Sequence, residues 1–317
     1  MTGIFQSDNE LNVAKDFRER GFVFAPFDSD EHTVLIQPDE VYVSEIESRV
    51  TRPDSEIKLL DEGREVHLKL VEAGIKAIKK GDLKKVVLSR NIEADCSSNP
   101  EEIFTRLLNS YQNAFCYLFH HPKVGIWCGA TPETLVQIKE KELRTMSLAA
   151  TLPVDEFNPP KWGSKEIEEQ QMVSDYIQKR LVDKLDALHI GQAESVKAGN
   201  LWHLKSEITG AISSKTNLKE IVQALHPTPA VCGIPVDAAK KFISNHENYK
   251  RSFYTGFLGE LNLWNKNEIA LYVNLRCMEL LEKKAVIFVG GGITSASDPE
   301  REWIETQNKS KTMLNIL

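Results

Sequence analysis

Two helical patterns in this sequence carry carboxylates on the side that should be buried. In "SKEIEEQQMVSDYIQKRLVDKLDAL" (164–188), the longest such pattern, Glu166 and Glu169 fall on the side of Val173 and Ile177. In "EREWIETQNKSKTML", Glu302, Glu305 and Lys309 stand at i, i+3 and i+7, and Met313 continues the stripe. A carboxylate against apolar surface must be neutralised. The helix dipole would serve Glu166 and Glu169 in a first turn, and an i,i+4 pair with Lys309 would serve Glu305. One reading covers both helices: inward carboxylates that share a hard cation. Magnesium takes one or two carboxylates and completes its shell with water and substrate oxygens.

Other stretches break local rules as well. "FVGGGI" sets three glycines after an apolar strand without the G-x-G-x-x-G spacing or βαβ frame of a dinucleotide loop. It suits backbone brought close to an anionic ligand. In "IALYVNLRCMEL", strand alternation predicts Asn274 and Arg276 on one face. Arg276 is either an edge residue or a planar clamp for a carboxylate. Lys85 opens the strand "KVVLSR" and shares a face with Val87 and Ser89, and Glu133 lies in "GATPETL". Alone, each reads as an ordinary polar residue. "HPTPAVCGIP" (226–235) has three prolines and a glycine around a small apolar run. Proline fixes φ and steers the preceding residue from helix, so this is a stiff, irregular turn.

The elements that position these groups come from patterning. Residues 1–62 read as an N-terminal peripheral portion of one domain, with strands at "GFVFAPF" and "HTVLIQ", and 63–317 as its main body. A helix is expected from Glu65 to Lys80, ended by Gly81. Strands are expected at "LKKVVLSRNIEA", "NAFCYLFHH", "KVGIWCGA", across the hairpin "PETLVQIKEKELRTMSLAA", and at "SFYTGFLGELNL", "EIALYVNLRCMEL" and "KAVIFVGGGI". A short helix follows the proline-rich turn. A last helix starts near Pro299, capped by Ser297 or Asp298. Strands that follow one another directly favour an α+β fold with large, mostly antiparallel sheets packed together and helices outside.

Composition narrows the partners. The 317 residues carry 39 Lys and Arg against 46 Asp and Glu, a net charge of −7, which argues against nucleic-acid binding. No run of about 18 apolar residues predicts a membrane span. The polar start lacks a signal-peptide core, and five scattered cysteines suit reduced thiols in a cytoplasmic protein. A monomer is expected.

Taken together, "KVVLSR", "GATPETL", "LWHL" (201–204), "HPTPAVCGIP", "LRC" (275–277), "GGGI" (290–293) and "EWIETQNKSKTMLN" (302–315) resemble, in order, the motifs of the chorismate-utilising enzymes. Within that family the chain is most similar to the isochorismate synthases. The resemblance implies a large α+β domain with a deep site between sheets. It implies Mg²⁺ held by Glu169 and Glu305, with chorismate as the small-molecule substrate. Lys85 matches the general base that activates water for attack at C2, and Glu133 the general acid at the departing C4 hydroxyl. Arg276, Tyr254 and the Gly290 N–H match groups that hold the enolpyruvyl carboxylate, and Lys309 lies near the metal end. His203 and Thr151 occupy motif positions beside the ring, and Ala230 and Val231 match its apolar wall. An ordinary lysine is neutral in fewer than about one part in a thousand at pH 7. A base role therefore asks for burial or a nearby cation.

The same resemblance separates reactions. Aminodeoxychorismate synthases with a lysine nucleophile carry it where this chain has Ala149, and anthranilate synthases have glutamine in place of Lys85. Hydroxide addition, giving isochorismate, is the expected chemistry. The alternatives are a salicylate synthase, which goes on to eliminate pyruvate, and a non-catalytic binding protein of the family. The full set of matched residues weighs against the latter. Two departures stand out: "KEIEEQ" (165–170) lacks the family's arginine and histidine, and "AAT" (149–151) places Ala150 where glycine is usual.

Overall fold

Alternating β-branched and aromatic residues make antiparallel strands of most of this chain. The computed structural model describes residues 1–28, 30–45, 61–155, 158–198 and 201–317. Strands β1 (Thr2–Phe5), β2 (Asn12–Val13), β3 (Gly21–Ala25), β4 (Val34–Ile36) and β5 (Glu40–Val43) precede helix α1 (Arg64–Lys80). Next come β6 (Lys85–Asp95), α2 (Pro100–Ser110), β7 (Phe115–His121), β8 (Gly125–Thr131), β9 (Thr134–Lys139) and β10 (Glu142–Pro153). Helix α3 (Ser164–Leu181) leads to β11 (Leu185–Ile190), β12 (Glu194–Ala198), β13 (Leu201–Ile212) and α4 (Leu218–Leu225). After the proline-rich turn follow β14 (Gly233–Ile234), α5 (Val236–His246), β15 (Phe257–Leu261) and β16 (Glu268–Val273). The chain closes with β17 (Cys277–Leu280), β18 (Lys284–Ile293) and α6 (Pro299–Leu314).

Among the described residues a ten-stranded sheet runs β11-β13-β10-β9-β16-β15-β3-β4-β2, with β12 beside β13. A six-stranded sheet runs β14-β6-β18-β17-β8-β7, and β1 pairs with β5. The pairings are antiparallel, as in β6–β18, where Ser89 faces Gly290. The sheets meet over an aromatic layer in which Phe24, Leu258 and Val34 pack with Tyr117, Phe119, Trp127 and Phe288. Phe24 stacks on Phe253 at 4.2 Å, and Trp127 on Phe288 at 5.3 Å. Each such side chain, fully buried, contributes about 1.5–3 kcal/mol. Outside, α3 and α4 cover the large sheet, while α1, α2, α5 and α6 cover the small one. The fold is α+β.

Local signals place the helix ends. Gly81 closes α1 at φ 89°. Asp298 caps α6 by accepting the Arg301 N–H, with Pro299 at the first position. Asn99 and Pro100 start α2 in the same way, an element that the strand-centred reading passed over. The expected helix at 164–188 stops at Leu181, because Leu185–Ile190 pairs with β13 instead. Ile167, in its first turn, is 54% exposed.

Two further expectations change. Residues 1–62 are not peripheral at β3, which pairs with β15 and buries Val23 and Phe24 completely. "EIALYVNLRCMEL" is not one strand: β16 belongs to the large sheet and β17 to the small one. Asn274 and Arg276 lie in the crossover, so they do not share a strand face. Asn274 is buried there, accepting from the Tyr117 hydroxyl at 2.6 Å and donating to the Phe253 carbonyl at 2.9 Å. Arg276 takes φ 48° and turns into the space between the sheets.

Candidate active site

The crossover, the bulged end of β10, the glycines of β18 and the inner faces of α3 and α6 enclose a cleft of about 900 Å³, counted to its open mouth. Behind its polar floor, at the head of β6, lies Lys85, 0% exposed. Lys85 Nζ lies 2.9 Å from Glu169 Oε1. The contact is an ion pair of poor alignment, since Nζ has no hydrogen-bond partner of good geometry among the described residues. Gly292 makes this approach possible. A Cβ there would stand 2.5 Å from Glu169 Oε1 and 3.0 Å from Lys85 Cε.

Glu133 follows β8 and is 4% exposed. Its N–H donates to Thr131 Oγ1 at 3.2 Å, and its carbonyl accepts the Val273 N–H at 3.0 Å. The main chain that carries the carboxyl is therefore fixed on both sides. Burial pushes its pKa up to about 8, although the charges of Lys85 and Lys309 pull the other way. At neutral pH this carboxyl keeps its proton.

Arg276 donates to Thr312 Oγ1 at 3.0 Å and reaches 3.5 Å from His203 Nε2. His203 Nδ1 donates to the Ala150 carbonyl at 3.0 Å, with Thr151 Oγ1 at 3.4 Å. A carbonyl can only accept, so the proton sits on Nδ1, and Nε2 faces the guanidinium as an acceptor. Burial, then Arg276 and Lys309, lower the His203 pKa to about 3, leaving a neutral ring. Ala150 reaches the cleft because β10 bulges between Ala149 and Leu152, where Ala150 adopts φ 60°. The bulge sets the Ala150 carbonyl against His203 and the residue itself in the cleft wall.

Tyr254 is buried and stacks on Phe288 at 5.4 Å. Its hydroxyl lies 3.1 Å from where a Gly290 Cβ would be. The Ser89 N–H donates to Glu247 Oε1 at 2.8 Å, so the Ser89–Gly290 pair is not bonded across the ladder. Gly290 thus turns its N–H and carbonyl away from β6, and the carbonyl accepts Lys309 Nζ at 2.9 Å. The apolar side of the cleft is Ala230 and Val231. Arg251 fixes that wall: it donates to the carbonyls of Val231 at 3.0 Å and Val87 at 2.8 Å while paired with buried Glu247 at 2.6 Å.

Three lysine–carboxylate pairs rim the glycines of β18. Besides Lys85–Glu169, Lys309 Nζ meets Glu305 Oε1 at 2.7 Å, and Lys165 Nζ meets Glu302 Oε1 at 3.0 Å. Glu302 is 2% exposed, and its Oε2 is buried without a hydrogen-bond partner among the described residues. Burial, then the neighbouring Glu305, raises its pKa. A Cβ on Gly291 would lie 3.2 Å from Glu302 Oε2 and 3.6 Å from Glu305 Oε1.

The structure thus gathers Lys85, Glu133, Thr151, Glu169, His203, Ala230, Val231, Tyr254, Arg276, Gly290, Glu305 and Lys309 around one cleft. Glu302, marked as inward but given no role, and Lys165, not singled out, join them. Glu302 was visible as the partner of Glu305 in the i,i+3 pattern. Lys165 was visible as a cation in a helix's first turn, where the dipole disfavours it. Glu166 also borders the cleft, but its carboxylate is engaged as a helix cap, accepting the Gly163 N–H at 2.9 Å.

A family profile described as chorismate binding enzyme matches residues 32–317. The chain is 30% identical to isochorismate synthase DhbC of Bacillus subtilis, over 92% of this chain and 79% of that protein. It is 32% identical to isochorismate synthase EntC of Escherichia coli over 73% of this chain, and spans 62% of that relative's length. The solved structure of DhbC from Bacillus anthracis, described as a 2,3-dihydroxybenzoate-specific isochorismate synthase, matches with TM-score 0.81 at 28% identity. That match covers 94% of this chain and 84% of the other.

Proposed function

The chain belongs to the chorismate-binding enzyme family, and from that premise we propose that it is an isochorismate synthase, adding water at C2 of chorismate and releasing the C4 hydroxyl. The observation that carries this reading is the pairing of a buried lysine with a buried, protonated carboxyl in one cleft. Lys85 takes a proton from water as the oxygen attacks C2. The double bonds shift, and Glu133 delivers its proton to the leaving hydroxyl. Arg276, Tyr254 and the Gly290 N–H hold the enolpyruvyl carboxylate, with Lys309 beside them. The ring rests against Ala230 and Val231, a dry wall that restricts which face water reaches. His203 and Thr151 flank the ring, and the neutral His203 leaves Arg276 its full charge for the substrate.

The site fits Mg²⁺. Glu169 and Glu305 would hold the ion. The unpartnered Glu302 oxygen and the cradle left by Gly291 and Gly292 supply further room and negative charge. Among the described residues no three His, Cys, Asp or Glu groups stand close enough to form a ready-made cage, which magnesium does not require. Bound there, it would neutralise the ring carboxylate and draw electrons from the ring. The test is turnover of chorismate by the purified protein after EDTA treatment and on Mg²⁺ readdition. Activity should vanish and return, and Glu305→Ala should not recover it. Near-normal activity of Glu305→Ala in EDTA would overturn the metal assignment.

A further inference from the structure

Three carboxylates and three lysines balance around the glycines of β18, and the lysines differ in how firmly they are held. Lys85 has no exposure, and Lys309 is tied both to Glu305 at 2.7 Å and to the Gly290 carbonyl at 2.9 Å. The Lys165 side chain is 31% exposed, and the hydrogen bond shown for its ammonium is the one to Glu302 at 3.0 Å. Lys165 also works against its own helix, since a cation in the first turn of α3 opposes the dipole. Its placement makes sense only toward the carboxylates it faces. Burial lowers its pKa, yet Glu302, Glu169 and Glu305 together outweigh that and raise it. The Glu302 carboxylate has Lys165 on one oxygen and the Ser297 hydroxyl nearby, and its second oxygen, buried beside the Gly291 cradle, makes no well-aligned hydrogen bond among the described residues. That second oxygen is an acceptor with room for another donor or a cation.

We propose that Lys165 is a built-in competitor of the metal, neutralising the carboxylate cluster in the substrate-free protein and leaving Glu302 for solvent when a divalent cation settles. This inference rests on the magnesium reading above. With Lys165 in place the cluster offers a divalent ion little net attraction, because each of the three carboxylates is already matched. Its partly exposed stem gives the ammonium a route into water that Lys85 lacks. Metal affinity in the free protein is then set by the ease of displacing this one side chain.

The experiment is calorimetric titration of MgCl₂ into the chorismate-free protein, comparing the unmodified chain with Lys165→Met, Lys165→Arg and Lys69→Met. Removing a unit charge a few ångströms from the ion should tighten Mg²⁺ binding in Lys165→Met by about tenfold or more. Lys165→Arg, which keeps the charge, should stay within about threefold of the unmodified protein. Lys69→Met should change nothing, because Lys69 pairs with Glu65 on the exposed face of α1. If Lys165→Met fails to fold, Lys165→Gln carries the same expectation. Binding by a folded, neutral variant no tighter than that of the unmodified protein would overturn the proposal while leaving the metal site standing. No Mg²⁺ binding by any of the proteins, even with chorismate present, would overturn both.

Discussion

Glu133 and Lys85 are the two fully enclosed ionisable side chains on which the proposed chemistry rests. For Glu133, burial holds the proton on to about pH 8. A general acid must be protonated, so turnover should fall as pH rises through about 8, and the pH–rate profile reads this directly. Glu133→Gln should lower turnover by roughly two orders of magnitude or more and lose that alkaline limb. Stability follows the same linkage. The unfolded carboxyl ionises near 4.5, so the folded state loses stability between pH 4.5 and about 8. Glu133→Gln should therefore gain stability relative to the unmodified protein as pH rises across that window, as denaturant unfolding at several pH values would show. Lys85→Ala should also cost about two orders of magnitude in turnover with little change in substrate affinity; normal turnover would remove Lys85 as base. Neither residue announces itself locally. Lys85 opens an ordinary strand, and only the Gly292 gap and Glu169 beside it set it apart.

Irregular pieces of the elements build this site. The bulge at Ala149–Leu152 puts a non-glycine residue at φ 60°, a conformation that costs an L-residue about 1–2 kcal/mol. Ala150→Gly should relieve that strain and raise the unfolding midpoint by about 2 °C or more. A lowered midpoint would show that the methyl packs more favourably than the strain costs. Gly292→Ala should act in the opposite sense, because its methyl would collide with Glu169 and Lys85. At least a tenfold loss of turnover in a folded protein is expected, and steady-state kinetics measures it. The sequence pattern made the helices carrying Glu169 and Glu305 legible, through acidic residues on an otherwise apolar stripe. It misread residues 268–280 as one strand, since alternation continues across the crossover and nothing local marks Arg276 as a left-handed turn. The length of α3 was overestimated for a related reason. Leu185 fits the helical period, but pairing of β11 with β13 decides its fate.

The whole molecule places chemistry where two sheets part. Phe24, Trp127, Phe253 and Phe288 close the interior between them, and the crossover at Asn274–Arg276 carries the chain from one sheet to the other beside the cleft. The antiparallel α+β class was legible from strands following strands. The split into ten and six strands was not, because partner choice between sheets depends on contacts far apart in sequence, such as β3 with β15. Arg251 and Glu247 show the same scale at work, one buried pair that locks the apolar wall to β6. That rigid wall is expected to keep the enolpyruvyl chain from folding over the ring, so isochorismate should leave intact. The most direct test is to incubate the protein with chorismate and Mg²⁺, resolve the products by chromatography, and follow pyruvate with coupled lactate dehydrogenase. Isochorismate with little pyruvate is the expected result. Stoichiometric pyruvate and salicylate, or chorismate left unchanged, would contradict it.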